Sequence, residues 1–133
     1  MERTTINPGE IAAPGGHFSH GVVVEAPRTL YVAGQVALDS QGKLVGPGDP
    51  VAQATQVFDN IRSVVETAGG RVEDIAKTSV FLVDLDHRSA VGEVRRKFFA
   101  GDPPANTLLV VKSLASPDFL VEVEAIVPLP ASR

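Results

Sequence analysis

The stretch DIAKTSVFLVDL, residues 74–85, decides the fold class of this 133-residue chain. It is rich in β-branched residues, and towards its end apolar side chains occupy both alternating faces. Such a run predicts a central strand that other elements cover on both sides. Segments with helical periodicity lie before and after it, so the sequence predicts an α+β fold.

Caps and apolar spacing predict two helices beside this strand. Asp49 can cap the first helix and Pro50 fits its first turn, while Gly69 and Gly70 end it. The apolar residues that recur at helical spacing are Ala54, Val57, Phe58, Ile61, Val64, Val65 and Ala68. The stretch DHRSAVGEVRRKFFAG, residues 86–101, predicts a second helix that Gly92 weakens.

Four further β-rich runs predict the remaining strands. HGVVVEA (20–26) and TLYVAGQVAL (29–38) predict a hairpin from about His20 to Leu38, and TLLVVKSL (107–114) and FLVEVEAIVPL (119–129) predict two strands around a turn. Residues 1–16 predict a loose N-terminal arm on a single domain that spans residues 1–133. Two helices cover only one face of so wide a sheet, so we expect a homo-oligomer that covers the other.

Composition limits the classes of function. The net charge is −4, the pI is about 5.3 and there is no block of Lys and Arg, so we expect no nucleic-acid partner. The chain has no Cys, which excludes disulfides and thiolate metal sites. The sequence shows neither the apolar core of a signal peptide nor a run long enough to cross a bilayer, so we expect a cytoplasmic protein without a membrane partner.

Two carboxylates on the last predicted strand are the first candidates for chemistry. Glu122 and Glu124 alternate onto one face, which the argument above directs towards another subunit. There they suit general acid or base catalysis, whereas on an exposed strand edge they would simply be solvated. Gly34, inside a strand pattern, marks either a close approach of the backbone to a ligand or a simple bend.

The other polar candidates favour structural roles. His17 and His20 are three residues apart in an extended segment and point to opposite faces, so we expect no metal site. Ser19 has no neighbouring base, which favours ordinary hydrogen bonding by its hydroxyl. Arg95, Arg96 and Lys97 are expected to form a solvated face of the second helix.

The motifs FSH (18–20), LYVAGQVALD (30–39), VFDNIRSVVETAGG (57–70), VRRKFFAGDPPANT (94–107) and VEVEAIV (121–127) together resemble the RidA/YjgF family of reactive-intermediate imine and enamine deaminases. The resemblance implies a chorismate-mutase-like α+β fold, with a six-stranded mixed sheet and two helices packed on one face. It also implies a homotrimer whose ligand clefts lie between subunits. The implied reaction hydrolyses 2-imino or 2-enamino acids to 2-keto acids and ammonia without a metal or organic cofactor.

The same resemblance implies the site residues. Glu122 is the implied catalytic residue, close to the attacking water, and the implied substrate-binding residues are Phe18, Ser19, Gly34, Gln35, Asn106 and Glu124. In deaminating relatives an arginine after the Pro-Ala pair binds the substrate carboxylate, but here that position is Asn106. Its loss is expected to weaken carboxylate binding by about 10- to 150-fold. Lys112 lies too far along the strand to replace it, and the less favoured alternative is that Arg95 or Arg96 reaches in from the helix.

Two functions therefore stay open. The first is a cofactor-free hydrolase of imines, enamines or related small C–N metabolites, with a non-standard substrate because Asn106 replaces the arginine. The second is a non-catalytic trimeric protein that binds small metabolites. Ribonuclease activity, a label historically attached to the family, is disfavoured by the acidic charge.

Overall fold

The computed structural model describes residues 1–132 and contains two sheets and two α-helices. The strands are β1 (Arg3–Ile6), β2 (Gly21–Val24), β3 (Arg28–Gln35), β4 (Lys77–Leu82), β5 (Ala105–Val110) and β6 (Val121–Leu129). The helices are α1 (Pro50–Thr67) and α2 (Arg88–Phe98), and two short 3-10 turns lie at Val72–Asp74 and Leu85–His87. The predicted α+β class is confirmed.

The main sheet has the order β3-β6-β4-β5. β4 pairs with β6 in the antiparallel direction and with β5 in the parallel direction, so the strand that decided the fold class is internal, as predicted. α2 connects β4 to β5, as a parallel pair requires a crossover. In this register Thr78 of β4 lies beside Asn106 of β5.

Helix α1 forms as its sequence predicts. The side chain of Asp49 accepts a hydrogen bond from the backbone N–H of Ala52 at 3.1 Å, and Pro50 occupies the first turn. The helix ends before Gly69, whose φ of +90° lies in the left-handed region that glycine adopts without strain.

Both helices pack on one face of the main sheet, as expected. The core between helices and sheet contains the inward-facing residues of β6, which are Val121, Val123, Ala125, Val127 and Leu129. Phe58 of α1 packs against Phe98 and Phe99 at the end of α2, with ring centroids 4.9 and 6.3 Å away. This aromatic cluster fixes the C-terminal half of α2 against α1.

The opposite face of the main sheet has no helix over it. Tyr31 and Ile126, which are paired across β3 and β6, are 75% and 40% exposed, and Leu109 of β5 is 48% exposed. Apolar side chains in this number on one sheet face are typical of an interaction surface.

Strand pairing at the N-terminus differs from the prediction in three ways. β2 and β3 exist, but they do not form a hairpin: β2 pairs with β1, and β3 pairs with β6. The six strands consequently form a four-stranded and a two-stranded sheet rather than one six-stranded sheet. The arm predicted to be loose contains β1, because Arg3 donates hydrogen bonds to the carbonyls of Asp102 and Ile75 at 3.1 and 3.2 Å.

Candidate functional site

Arg95 is buried, although the sequence predicted a solvated side chain. It is 5% exposed, whereas its neighbours Arg96 and Lys97 are exposed. Val91 lies one helical turn before Arg95 and Phe99 four residues after it, and both are buried. The stripe that α2 turns towards the sheet thus contains a guanidinium group in its centre.

The guanidinium of Arg95 is connected to Asn106 through one hydroxyl. Its Nη2 donates to Oγ1 of Thr78 at 3.1 Å, and the Thr78 hydroxyl donates to Oδ1 of Asn106 at 2.7 Å. Because a guanidinium only donates, the Thr78 oxygen must be the acceptor of the first bond, which leaves its own proton for Asn106. The network therefore directs the amide oxygen of Asn106 towards Thr78 and leaves its NH2 group as the donor end.

The charge of Arg95 has no counter-ion within residues 1–132. Its Nη1 donates to the backbone carbonyl of His17, its Nε is buried without a hydrogen-bond partner, and no carboxylate forms an ion pair with it. Its guanidinium carbon lies 5.0 Å from the ring centroid of Phe99, which gives a cation–π contact. Burial lowers the pKa of Arg95 from its ordinary value to about 10, so the side chain is still a cation at neutral pH.

A cleft of about 820 Å³ opens beside this network. Its walls include Arg95, Asn106, Phe18 and Leu108, and Gly92 forms part of the helix side. A Cβ on Gly92 would meet no atom within 4 Å, which shows how open the cleft is at that point. The cleft thus combines apolar side chains with a few convergent donors, the usual character of a site for a small molecule.

Glu122 belongs to a second group of predicted residues around a β-bulge. The β3–β6 register shifts between Val32 and Gln35, and the Glu122 carboxylate lies over Gly34. A Cβ on Gly34 would lie 2.1 Å from Oε2 of Glu122, so only glycine leaves room for the carboxylate in this position. Of the other predicted residues here, Gln35 is half-buried and donates to the carbonyl of Ala33 at 3.1 Å.

Within one chain the two groups lie on opposite faces of the main sheet. Asn106 is level with Thr78, which points to the helices together with Val80. Glu122 pairs with Phe81, which is one residue along β4 from Val80 and so faces the other side of the sheet. Glu122 therefore points to the open face. Glu124 shares that face and is exposed. A single chain consequently brings Phe18 and Asn106 together but does not bring either of them to Glu122.

Ser19 and the two nearby histidines have structural bonds. Ser19 is buried, its hydroxyl donates to the carbonyl of Pro103 at 2.6 Å, and its N–H donates to that of Pro104 at 3.0 Å. Ring nitrogens of His17 and His20 lie 2.7 Å from the carbonyls of Phe99 and Ala12. In the part of the chain that the structure describes, no three His, Cys, Asp or Glu side chains are grouped as metal ligands.

Comparison with known proteins identifies the family. The model of the family described as Endoribonuclease L-PSP matches residues 10–129. The Rid-family protein YyfB from Yersinia pestis is 34% identical with a TM-score of 0.88, over 97% of this chain and all of that one. The chain belongs to the RidA/YjgF family. The RidA structure from the Antarctic bacterium Psychrobacter sp. is 32% identical over 95% of this chain and 99% of its own, with a TM-score of 0.72. A structure from Klebsiella pneumoniae described as a putative endoribonuclease is 26% identical over 80% and 97%, with a TM-score of 0.74.

In this RidA-family chain, Arg95 and Thr78 join the candidate site, although the favoured interpretation of the sequence placed neither there; only the less favoured alternative, that Arg95 or Arg96 reaches in from the helix, included Arg95. Arg95 was assigned to a polar run, although Val91, Arg95 and Phe99 recur at intervals of four residues and share one helical stripe. Thr78 gave no signal of its own, because its part in the network depends on the parallel pairing of β4 with β5. No helix in residues 1–132 is both long and apolar enough to cross a membrane.

Proposed function

We propose that this RidA-family protein is a cofactor-free hydrolase of imines, enamines or related small C–N metabolites that works as a homotrimer. In this proposal the cleft beside Asn106 of one subunit faces Glu122 of the next subunit. The position of the two groups on opposite faces of one sheet carries the proposal, because only a second copy can complete the site. The exposed apolar side chains around Tyr31 and Ile126 supply a surface for that contact.

Glu122 is the proposed catalytic residue. Its carboxylate accepts a proton from water as the water oxygen bonds to the C=N carbon, and it returns the proton to nitrogen to give a carbinolamine. The C–N bond then breaks with its electron pair on nitrogen. The hydroxyl proton passes through Glu122 to the leaving nitrogen, so that a carbonyl compound and ammonia form and the carboxylate is regenerated. The absence of a side chain at Gly34 supports this role, because it leaves room for the carboxylate at the bulge.

The remaining predicted residues are proposed to shape the substrate site. Phe18 contributes an aromatic wall, and its ring packs edge-to-face against His20 at 5.8 Å. Asn106 offers its NH2 group, while Gln35 and Glu124 belong to the group of residues around Glu122. Ser19 is proposed to act through position, because its two bonds attach the segment before β2 to the start of β5.

A coupled assay tests the proposal. An amino-acid oxidase supplies 2-imino acids, and keto-acid release is followed with the purified protein, whose trimeric state is checked by sedimentation. We expect acceleration over buffer, and Glu122→Gln should lower kcat/KM by at least about 100-fold. The control Glu25→Gln removes an exposed carboxylate after β2 and should leave the rate unchanged. A trimer that gives no acceleration contradicts the hydrolase and favours the non-catalytic binding protein.

The family name Endoribonuclease L-PSP also points to ribonuclease activity, and the charge of the chain opposes it. The net charge is −4, and the cleft beside Asn106 contains Asp86 and Glu93 as well as its arginines. Proteins that bind nucleic acid in a largely electrostatic way need an excess of positive charge on the binding surface. We expect no cleavage of single-stranded RNA under the conditions of the imine assay.

A further inference from the structure

The unpaired charge of Arg95 calls for an explanation. Charged groups are almost never fully buried unless they are paired, because removing an ion from water costs several kcal/mol. Arg95 has five N–H groups, and two of them are used, for His17 and Thr78. Its side chain lines the open cleft beside Asn106. Nε is buried, but the remaining N–H groups of the two terminal nitrogens and the positive charge lie beside a cavity that is large enough for a small molecule.

We propose that Arg95 is the anion-binding residue of this cleft and that the ligand is a small carboxylate. The arginine approaches from helix α2, while Asn106 on β5 contributes a neutral donor to the same ligand. This assignment deepens the proposed function by naming the residue on α2 that selects substrates with a free carboxylate, and it rests on that function for the reacting C–N group. The binding of a carboxylate can be measured without any turnover.

The other charges of the cleft do not offer an equivalent group. Arg96 is exposed and already forms bonds of 2.7 to 2.9 Å to Glu93. Arg88 and Asp86 are both exposed at the start of α2, where water screens them. Arg95 alone among these cations is buried and held in place, by the carbonyl of His17, the hydroxyl of Thr78 and the ring of Phe99. A planar, positioned guanidinium binds a carboxylate through two parallel hydrogen bonds.

A matched pair of probes tests the inference. The keto acid 2-oxobutanoate carries the carboxylate, and its amide has nearly the same shape without the charge. Both are titrated into the full-length protein at fixed ionic strength, and Kd is measured by calorimetry or ligand-observed NMR. We expect the wild type to bind the acid at least about 10-fold more tightly than the amide. A ratio close to one, or no binding of the acid, overturns the inference without any variant.

Variants of α2 then locate the effect. Arg95→Gln should raise the Kd of the acid by about 10- to 150-fold and bring the acid-to-amide ratio close to one. Lys97→Gln removes the same charge from the exposed side of the same helix and should keep the wild-type ratio. If Arg95→Gln does not fold, Arg95→Lys keeps the charge and should give an intermediate ratio. An unchanged ratio in either folded variant overturns the assignment.

The outcomes separate this inference from the proposed function. Tight binding of the acid that depends on Arg95, without imine hydrolysis, supports the inference and contradicts the hydrolase. Hydrolysis of neutral imines as fast as of imino acids supports the hydrolase and contradicts the inference. A merely structural Arg95 would change the stability of the protein and leave the acid-to-amide ratio unaltered.

Discussion

Replacing Arg95 by Met is expected to leave the ligand-free protein about as stable as the wild type. Lowering the pKa of Arg95 from its ordinary value to about 10 corresponds to roughly 3 kcal/mol of unfavourable free energy for the charged form in the fold. Met removes that penalty and fills a similar volume. It also leaves the carbonyl of His17 and the hydroxyl oxygen of Thr78 without their donor and removes the contact with Phe99. These losses amount to about 2 to 4 kcal/mol together.

The two contributions nearly cancel, so the free energy of unfolding should change by no more than about 1 kcal/mol in either direction. Urea denaturation at pH 7, at one fixed protein concentration, measures it. Adding 2-oxobutanoate at 100 times its wild-type Kd should stabilise the wild type by about 2.7 kcal/mol and the variant by much less. A loss of about 3 kcal/mol or more in the ligand-free variant would refute the reasoning. A loss of that size is expected if Arg95 were paired with a buried charge that the substitution leaves without its partner.

The difference in stability between the wild type and Arg95→Met should change with pH in one direction only. Below pH 9 Arg95 is protonated in the folded and the unfolded chain, so the stability difference between wild type and Arg95→Met should be constant. From about pH 10 up to the ordinary pKa of arginine, the unfolded chain binds more protons at this position than the folded one. The wild type should therefore gain stability relative to the variant as the pH rises through that window, while its affinity for the carboxylate falls.

Three further predictions follow from the site and the open sheet face. Gly34→Ala places a Cβ 2.1 Å from the Glu122 carboxylate, the proposed catalytic group, and should lower kcat/KM by at least about 10-fold, whereas Gly9→Ala, with no atom within 4 Å, should not change it. Tyr31→Asp puts a charge on the uncovered face and should convert trimers to monomers in sedimentation, with an unchanged far-UV spectrum; a persistent trimer would contradict the proposed interface. Asn106→Arg in the Arg95→Met background should restore the preference for the acid over the amide. Asn106→Arg alone should destabilise the protein, because two guanidinium groups would then share the Thr78 hydroxyl.

Local interactions explain why much of the fold could be predicted from the sequence. The cap at Asp49, the apolar spacing of α1 and the glycine at its end lie within a few residues of one another, so the sequence contains all the information that bounds the helix. The two apolar faces of residues 77–82 likewise indicate an internal strand without knowledge of its neighbours.

Strand partners depend on distant residues, and the sequence did not predict them. β2 and β3 are adjacent in the sequence, but the nine-residue β6 pairs with β3, and Arg3 fixes β1 through bonds to carbonyls 72 and 99 residues away. Pro27, between β2 and β3, has no N–H to donate to a hairpin ladder. Such pairings are decided by competition among strands, which a reading of local patterns does not include.

The favoured prediction for Arg95, a solvated side chain, failed because it gave residue type more importance than helical position, whereas the less favoured alternative had Arg95 or Arg96 reach in from the helix. A charged residue in a polar run is most often solvated, so residues 95–97 were read as one surface segment. Position decides otherwise: Arg95 shares a stripe with Val91 and Phe99, while Arg96 and Lys97 point away. A charge in an apolar stripe contradicts the local pattern, and such contradictions are expected at functional sites.

The place from which the arginine enters the cleft affects which substrates would fit. A strand arginine at position 106 would project from β5 directly, whereas Arg95 reaches the cleft from α2 and is separated from Asn106 by the Thr78 hydroxyl. In the proposed site the carboxylate of the ligand would therefore be displaced towards the helix, while Glu122 keeps its place over Gly34. A longer or differently angled acid than the shortest imino acids would span the two groups. Comparing kcat/KM across imino acids of increasing chain length should show a maximum beyond the three-carbon member, and a steady decline from that member would contradict this geometry.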